Sequence, residues 1–575
     1  MRGDPARWRL YGLALREAGR VLPRRLRRAA SSRRFRTPKP QRLLFAPQDL
    51  RTSDPTLAED IYGGVFAFAG RAVQTGGRSP FAIEPPSEDW AEALYGFGWL
   101  RHLRAADTPL ARNHARTLVE EAVGRRRAEL DRGPAGRVPV VARRVMSFLC
   151  QSPLVLGGAD HALYQSFLGA IGRGVATLEA SLLGAERPSD RLASAVALSY
   201  ASLCCSGLEN RLRRATRALS SELDVQILDD GGHVSRHPGT LVELLLDLLP
   251  LRLLYASRGL EAPEALGRAV ERMMPMLRYL RHEAGDVALF NGMGRTATDH
   301  IATLLSYDLT QGRPVEHAER SGYTRLRHSS TLVLADTGPS PPMASSEAAH
   351  AGCLSFELSS GPDRIVVNCG APRPGDGARA AARRTAAHST LELSGESSCV
   401  FLSDRRGGIA TWLRRRIGPV VLSGPSRVEF TEGPAPGADE PSFTARHDGY
   451  RTRFGIVHER ALRIAADGES LVGEDRLIVQ DGRDATPEVA IRFHLHPAVR
   501  VEPGAGPADA ILRPASGPAW RFSAETGRLA VEESVFFGGA ERRRPTVQLV
   551  LRPPPGGPDP VRWRFDRIDR ANEPA

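Results

Sequence analysis

The chain has 575 residues, more than one hydrophobic core usually supports, so at least two domains are expected. Its 41% hydrophobic and 25% charged residues suit a globular protein, no apolar run approaches the roughly 18 residues of a spanning helix, and six cysteines are too sparse for a disulfide framework. The net charge of +12 excludes a whole-protein nucleic-acid surface: residues 1–42 carry fourteen basic side chains against Asp4 and Glu17, and beyond them acids and bases balance.

Residues 1–45 are expected to form a basic N-terminal arm. Within it "WRLYGLALREAGRVLPRRLRRAASSRRFR" puts Trp8, Tyr11, Leu15 and Leu22 on roughly one helical face, which leaves open a membrane-surface helix or an anionic-glycan contact. No uninterrupted apolar segment precedes a small-residue cleavage site, so a standard secretory signal is not expected. Residues 46–318 follow with apolar residues at helical spacing, as in "SEDWAEALYGFGWLRHLRAAD" and "TLVELLLDLLPLRLLYA", separated by short Gly/Pro turns. An array of antiparallel helix pairs is the simplest architecture. Between Gly312 and Gly322 the pattern changes. Residues 322–575 show period-two runs such as "LSFELSSGPDRIVVNCG", "VAIRFHLHP" and "TVQLVLRP", punctuated by Gly, Pro, Asp and Ser, as in a β-sandwich. Residues 424–441 look like a loop-rich excursion. Helices first and strands second give an α+β multidomain chain.

Several polar residues stand where chemistry could be done. In "DDGGHVSRHPG" His237 precedes Pro238 and sits at the expected N-cap of an apolar helix, with Arg236 beside it. The pair either forms a carboxylate-binding corner, since helix N-termini and guanidinium groups both favour anions, or is a helix cap beside a solvated arginine. The glycine-rich turn "LFNGMGR" offers the Asn291 amide, with Tyr307 further along. In the β half His350, His388, His447, His494 and His496 lie in or beside strands. His494 and His496 share a sheet face, as a metal pair or as surface histidines.

Taken together, these motifs resemble the heparinase II/III family. "AHAGCLSFELSSGPDRIVVNCGAP" resembles its "HADAGSFEL…G…LLVDPG" block, "AAHSTLELSGESS" its "HNT…DG" block, "ARHDGY" its "HDGY" element, and "DDGGHVSRHPG" its first active-site turn, across residues 85 to the end. The resemblance implies an incomplete (α/α) toroid followed by an antiparallel β-sandwich, in a cell-envelope or periplasmic protein; the missing signal leaves a cytoplasmic one open. It implies a polysaccharide lyase that cleaves an acidic, uronate-containing glycan by β-elimination. That reaction needs a neutraliser for the carboxylate, a base for the C5 proton and an acid for O4. By the resemblance His237, His350 and Tyr307 are the catalytic candidates; Arg236, Asn291 and His447 would bind substrate; and His350, Asn368 and His388 would hold a zinc ion.

This chain departs from the family pattern at Ala348, where the upstream member of a His-x-His pair is expected, at Gly352 in place of an acid, and at Asn368 in place of an aspartate. No motif secures the tyrosine among Tyr255, Tyr279 and Tyr307. The rival expectation is therefore a catalytically degenerate glycan-binding or envelope-assembly protein on the same fold. A hydrolase using Asp229, Asp230 or Glu243 ranks third, because nothing in the sequence opposes two of these acids across a groove.

Overall fold

The computed structural model describes residues 8–19, 37–184, 187–308, 317–433, 440–480, 487–539, 543–555 and 560–568. Helix α1 (residues 8–19) is followed by α2 (Thr56–Tyr62), a hairpin of Val65–Phe68 with Arg71–Gln74, α3 (Glu88–Gly96), α4 (Leu100–Ala106) and α5 (Pro109–Val123). Then come α6 (Val138–Leu156), α7 (His161–Gly184), α8 (Pro188–Cys204), α9 (Glu209–Gln226), α10 (Pro238–Ser257), α11 (Glu264–Tyr279) and α12 (Thr298–Ser306). Local chemistry sets several of the starts. Ser87 and Thr108 accept from the amides of Trp90 and Ala111 at the heads of α3 and α5. Proline occupies the first turn of α5, α6, α8 and α10, where its missing N–H is no loss. The apolar faces merge into one core running from Trp90 and Phe97 through Phe148 to Leu245 and Met273.

The second half is two antiparallel sheets of nine and eight strands among the described residues. The nine-stranded sheet is centred on Val489–Leu495, Asp363–Val367, Phe356–Ser360 and Thr331–Asp336; the eight-stranded sheet on Ile456–Ile464, Ser470–Val479 and Val561–Ile568. Their inner faces meet as a sandwich. The Phe356 ring stacks on Trp563 at 5.5 Å, and Phe493 packs on Phe522 at 5.0 Å. The nine-stranded sheet is also covered on its other face. Along Thr331–Asp336, Val333 and Ala335 enter the sandwich core while Leu332 and Leu334 enter the helical core. The two halves are thus welded through one sheet, which places the loops at its edge against the helices.

Four local expectations change. The stretch after residue 46 is not wholly helical, since it contains the hairpin and a strand, Cys205–Ser206, that pairs with Arg42–Leu43. Residues 8–19 of the basic arm form a helix, as their spacing implies, but a docked one, because Leu10 and Leu13 are buried against the β half. The excursion at 424–441 contains a strand, Val428–Glu432, paired with Ser442–His447, although residues 434–439 lie outside the described residues. The β half also contains short helices, α13 (Arg379–Ala382) and the ten-residue α14 (Gly408–Ile417), where period-two patterning predicted none. Leu22 and the boundary glycine Gly312 lie outside the described residues.

Candidate functional site

His237 is the N-cap of α10, and its Nδ1 accepts from the Thr240 amide at 2.8 Å. That acceptor role puts the ring proton on Nε2, which donates to the Gly292 carbonyl at 3.0 Å. Burial lowers its pKa, so the ring is neutral at pH 7. Arg236, one residue earlier, has left-handed backbone geometry with φ of 58°. Its guanidinium points away from solvent into the seam between the halves. Nε donates to Ser321 O, Nη1 to Gly338 O and Pro339 O, and Nη2 to Gly322 O and the Asp336 carboxylate. All five donors are matched, none is left for a ligand, and the expectation that Arg236 binds substrate is corrected: it clamps the two halves.

Asn291 is buried at the same seam, also left-handed, with φ of 45°. Its Nδ2 donates to the Tyr323 hydroxyl and to Asp336, each at 3.0 Å, and its Oδ1 lies 3.4 Å from the His350 amide. The Tyr323 hydroxyl in turn donates to the Arg236 carbonyl. Burial raises the Tyr323 pKa well above the ordinary phenol value, and the neighbouring arginine only partly offsets it. Neither Tyr323 nor Asp336 is legible in the sequence, because each acts through partners, Asn291 and Arg236, that lie far from it in the chain and on the other side of the seam.

His350 and His388 come together: His350 Nδ1 is 3.1 Å from His388 Nε2, and His388 Nδ1 donates to the Arg384 carbonyl at 2.8 Å. This fixes His388 Nε2 as the acceptor and His350 Nδ1 as the donor. Burial lowers His350 far below its ordinary value, with His388 adding to the effect, and burial brings His388 down to about 4. Asn368 faces elsewhere. Its Oδ1 accepts from the Ser389 amide at 2.9 Å, and its Nδ2 donates to Glu357 Oε1 at 3.2 Å. Glu357 is fully buried. It also receives His282 Nε2 and Arg364 Nη2, each at 2.9 Å, and the Leu289 amide at 3.1 Å. This donor set does not fit zinc. The two imidazoles bond to each other, position 368 supplies an amide engaged at both ends, and the nearby carboxylate is saturated. Among the described residues no group of three or more His, Cys, Asp or Glu side chains is placed to hold a metal ion.

Residues 310–564 match the family described as Heparinase II/III-like, C-terminal. The β half is a heparinase II/III-like C-terminal domain. Nearly the whole chain is similar to FtsZ-localized protein C of Caulobacter vibrioides, 29% identical over 548 residues, covering 92% of this chain and 91% of that one. Among solved structures it shares its fold with a heparan sulfate lyase of Pedobacter heparinus (TM-score 0.60, 16% identity, 96% of this chain and 88% of that one). It also matches a heparinase III (TM-score 0.66, 13% identity, 86% and 80%). At these identities the likeness is one of fold.

A cavity of about 540 Å³ opens among α6, α8, α10 and α12 in the helical half, lined by polar groups of Gln226, His237, Thr240, Glu243, Arg295 and His300. Of the residues expected for lyase chemistry or zinc only His237 borders it, beside Glu243 of the third-ranked hydrolase reading. Its floor is charged but internally paired. Asp247 receives both Nη atoms of Arg143 at 2.9 and 2.8 Å and Arg51 at 2.8 Å; burial opposes its ionisation, but the two arginines hold it down at about 2. Tyr307 ends α12, half-buried against the helical core, and does not line the cavity. His447 is buried in the sandwich, where its Nε2 lies 3.3 Å from His458 in a network with Asp475 and Arg460. This corrects both: neither Tyr307 nor His447 reaches the seam residues. His494 is not a surface residue either, since its ring is buried between Ser534 and the Ala386 carbonyl.

Across the seam, Ala348 stands where the family pattern has a histidine. A Cβ placed on Gly292 would lie 3.0 Å from both the Ala348 Cβ and the His237 ring, so these two positions close on each other with only glycine between them. The spot is chemically bare: a methyl group and a capped, neutral imidazole.

Proposed function

We propose that this chain is a catalytically degenerate heparinase II/III-like protein that binds an acidic glycan without cleaving it and serves in envelope assembly. The observation that carries this reading is Ala348 facing His237 across Gly292, where β-elimination would need a proton-transfer group. The locked state of the remaining candidates agrees with it. The Tyr323 hydroxyl, the Arg236 guanidinium and the Asn291 amide all hold the halves together. The likeness to an FtsZ-localized protein supports a cell-division setting on the cytoplasmic side, which six free, buried cysteines suit. On this reading the helical half spans residues 46–318 and the sandwich 322–575, and the glycan lies in the cavity bordered by His237.

A second reading, a working lyase, is favoured by one feature besides the fold. The Arg384–His388–His350 hydrogen-bond chain puts the His350 proton on Nδ1 and leaves Nε2 as a candidate base. One experiment separates the two. The folded protein is incubated with a panel of uronate polymers, following ultraviolet absorbance from new C4–C5 double bonds alongside binding by calorimetry. We expect binding that weakens in Thr240→Trp, which would fill the cavity, and no absorbance change. An absorbance rise that vanishes in His350→Ala establishes the lyase instead, and absence of binding to every polymer removes the glycan.

A further inference from the structure

Large apolar side chains are left outside on two neighbouring helices. α1 buries Leu10 and Leu13 in a cluster with Ala410 and Leu413 of α14 and with Val400, Leu402, Val420 and Leu422 around a two-stranded sheet, Val400–Phe401 with Val421–Ser423. Arg9 donates to the Leu422 carbonyl at 3.2 Å, and the buried Glu17 carboxylate faces Arg416 at 3.5 Å, so the two helices are tied together. Having spent one apolar face on this cluster, α1 has a second one outside: Trp8 is 73% exposed, Leu15 76% and Tyr11 38%. α14 repeats the arrangement with Ile409 at 42% and Trp412 at 39%.

Such side chains cost free energy in water and mark a surface that is covered in use. The charges around them identify the cover. Arg9 and Arg16 on α1, Arg415 on α14 and Arg406 just before it are exposed, while the sole carboxylate on either helix, Glu17, is buried. Aromatic and branched apolar residues flanked by arginines, which outnumber the exposed Asp404 ahead of α14, are the composition of a helix lying in the headgroup region of an anionic bilayer. A helix docking into a protein groove would bury one narrow stripe; here two helices far apart in the sequence present apolar side chains together.

We propose that the outward faces of α1 and α14, carrying Trp8, Tyr11, Leu15, Ile409 and Trp412 among arginines, form one platform that lies on an anionic lipid bilayer. No helix among the described residues is long and apolar enough to cross a membrane, so the contact is peripheral. Because α14 belongs to the sandwich, the platform fixes the orientation of the whole β half towards the bilayer, which a basic tail alone would not do. The proposal is independent of whether the cavity holds a glycan.

The test is flotation of the full chain with vesicles of phosphatidylglycerol and phosphatidylcholine, beside vesicles of phosphatidylcholine alone. Two double variants are compared, Trp8→Glu with Leu15→Glu and Ile409→Glu with Trp412→Glu. All four side chains are exposed, so thermal melts should match the parent's, and a conservative Trp412→Phe should bind normally. Expected is binding to the anionic vesicles that falls roughly tenfold in each double variant and weakens with salt. A parent chain that stays unbound would overturn the proposal, leaving a protein partner as the cover. So would an α14 variant that floats like the parent, since α1 would then act alone.

Discussion

The five guanidinium donors of Arg236 meet five acceptors, four of them backbone carbonyls on segments near Ser321 and Gly338. A lysine could not reproduce that fork. The fit depends on glycine at 338, where a Cβ would fall 2.6 Å from Nη2. Removing the arginine leaves the Asp336 carboxylate buried beside Asn291 with its charge uncompensated. Arg236→Ala is expected to cost about 3–5 kcal/mol, with Arg236→Lys retaining most of that loss; urea denaturation midpoints check this, and a loss under about 1 kcal/mol would show the clamp to be incidental. Asn368 poses a sharper question, because the family pattern puts a carboxylate there. In this chain the position must donate, to a Glu357 that His282 and Arg364 help hold ionised, down to about 2 despite its burial. Asn368→Asp would set two carboxylates about 3 Å apart, and the expected loss is about 1–3 kcal/mol at neutral pH. The introduced acid would have a raised pKa, so the penalty should shrink as pH falls through 5. A variant that instead gained stability on adding zinc would show that the metal site survives.

Among the elements, the strand Thr331–Asp336 sets the architecture, because alternate residues feed different cores. Leu334→Ala should loosen the weld to the helices and Val333→Ala the sandwich; Leu334→Ala is expected to cost about 2–5 kcal/mol by calorimetry or urea melts. Unfolding of the two halves should also separate into distinct transitions in the Leu334 variant only. A single shared transition in both variants would mean that the weld lies elsewhere. This strand shows how far the sequence was legible. A short continuous apolar run such as Thr331–Asp336 announces a strand buried on both faces, and strong caps such as His237–Pro238 announce a helix such as α10, because both signals are carried by neighbouring residues. Which of two cores an alternating residue enters depends on pairing with Phe356–Ser360, and that is not a local property. α14 is not legible for a related reason: "GIATWLRRRI" has a narrow buried stripe of Ala410 and Leu413, and its outward apolar residues blur the helical period. At the site, His237 is legible through its cap, whereas the role of Arg236 is not. Its chemical type announces an anion, yet the acceptors that saturate it come from the other half of the molecule.

For the whole molecule, the consequence of so many buried imidazoles is a specific response to acid. Burial brings His388 to about 4 and His233 and His494 to about 3, and it lowers His350 and His447 further below the ordinary value. An unfolded chain would bind protons at these residues near pH 6.5. Between about pH 6.5 and 4 the unfolded state therefore holds more protons than the native one, and stability must fall as pH falls through that window. The paired carboxylates act lower down. Asp247 and Glu357, both held near 2, stabilise the fold above about pH 4, and that contribution is lost between about 4 and 2. The expected profile is a plateau above pH 7, a decline beginning near 6.5 and a steeper loss below 4. Urea titrations at successive pH values would trace it. The upper limb can be assigned by His494→Gln, which leaves nothing to protonate between Ser534 and the Ala386 carbonyl and should flatten the slope between pH 6 and 5 even if it lowers stability overall. A parent protein as stable at pH 5 as at pH 7 would mean that these imidazoles reach water, and the tightly packed seam described for His350 and His388 would have to be looser than its hydrogen bonds imply.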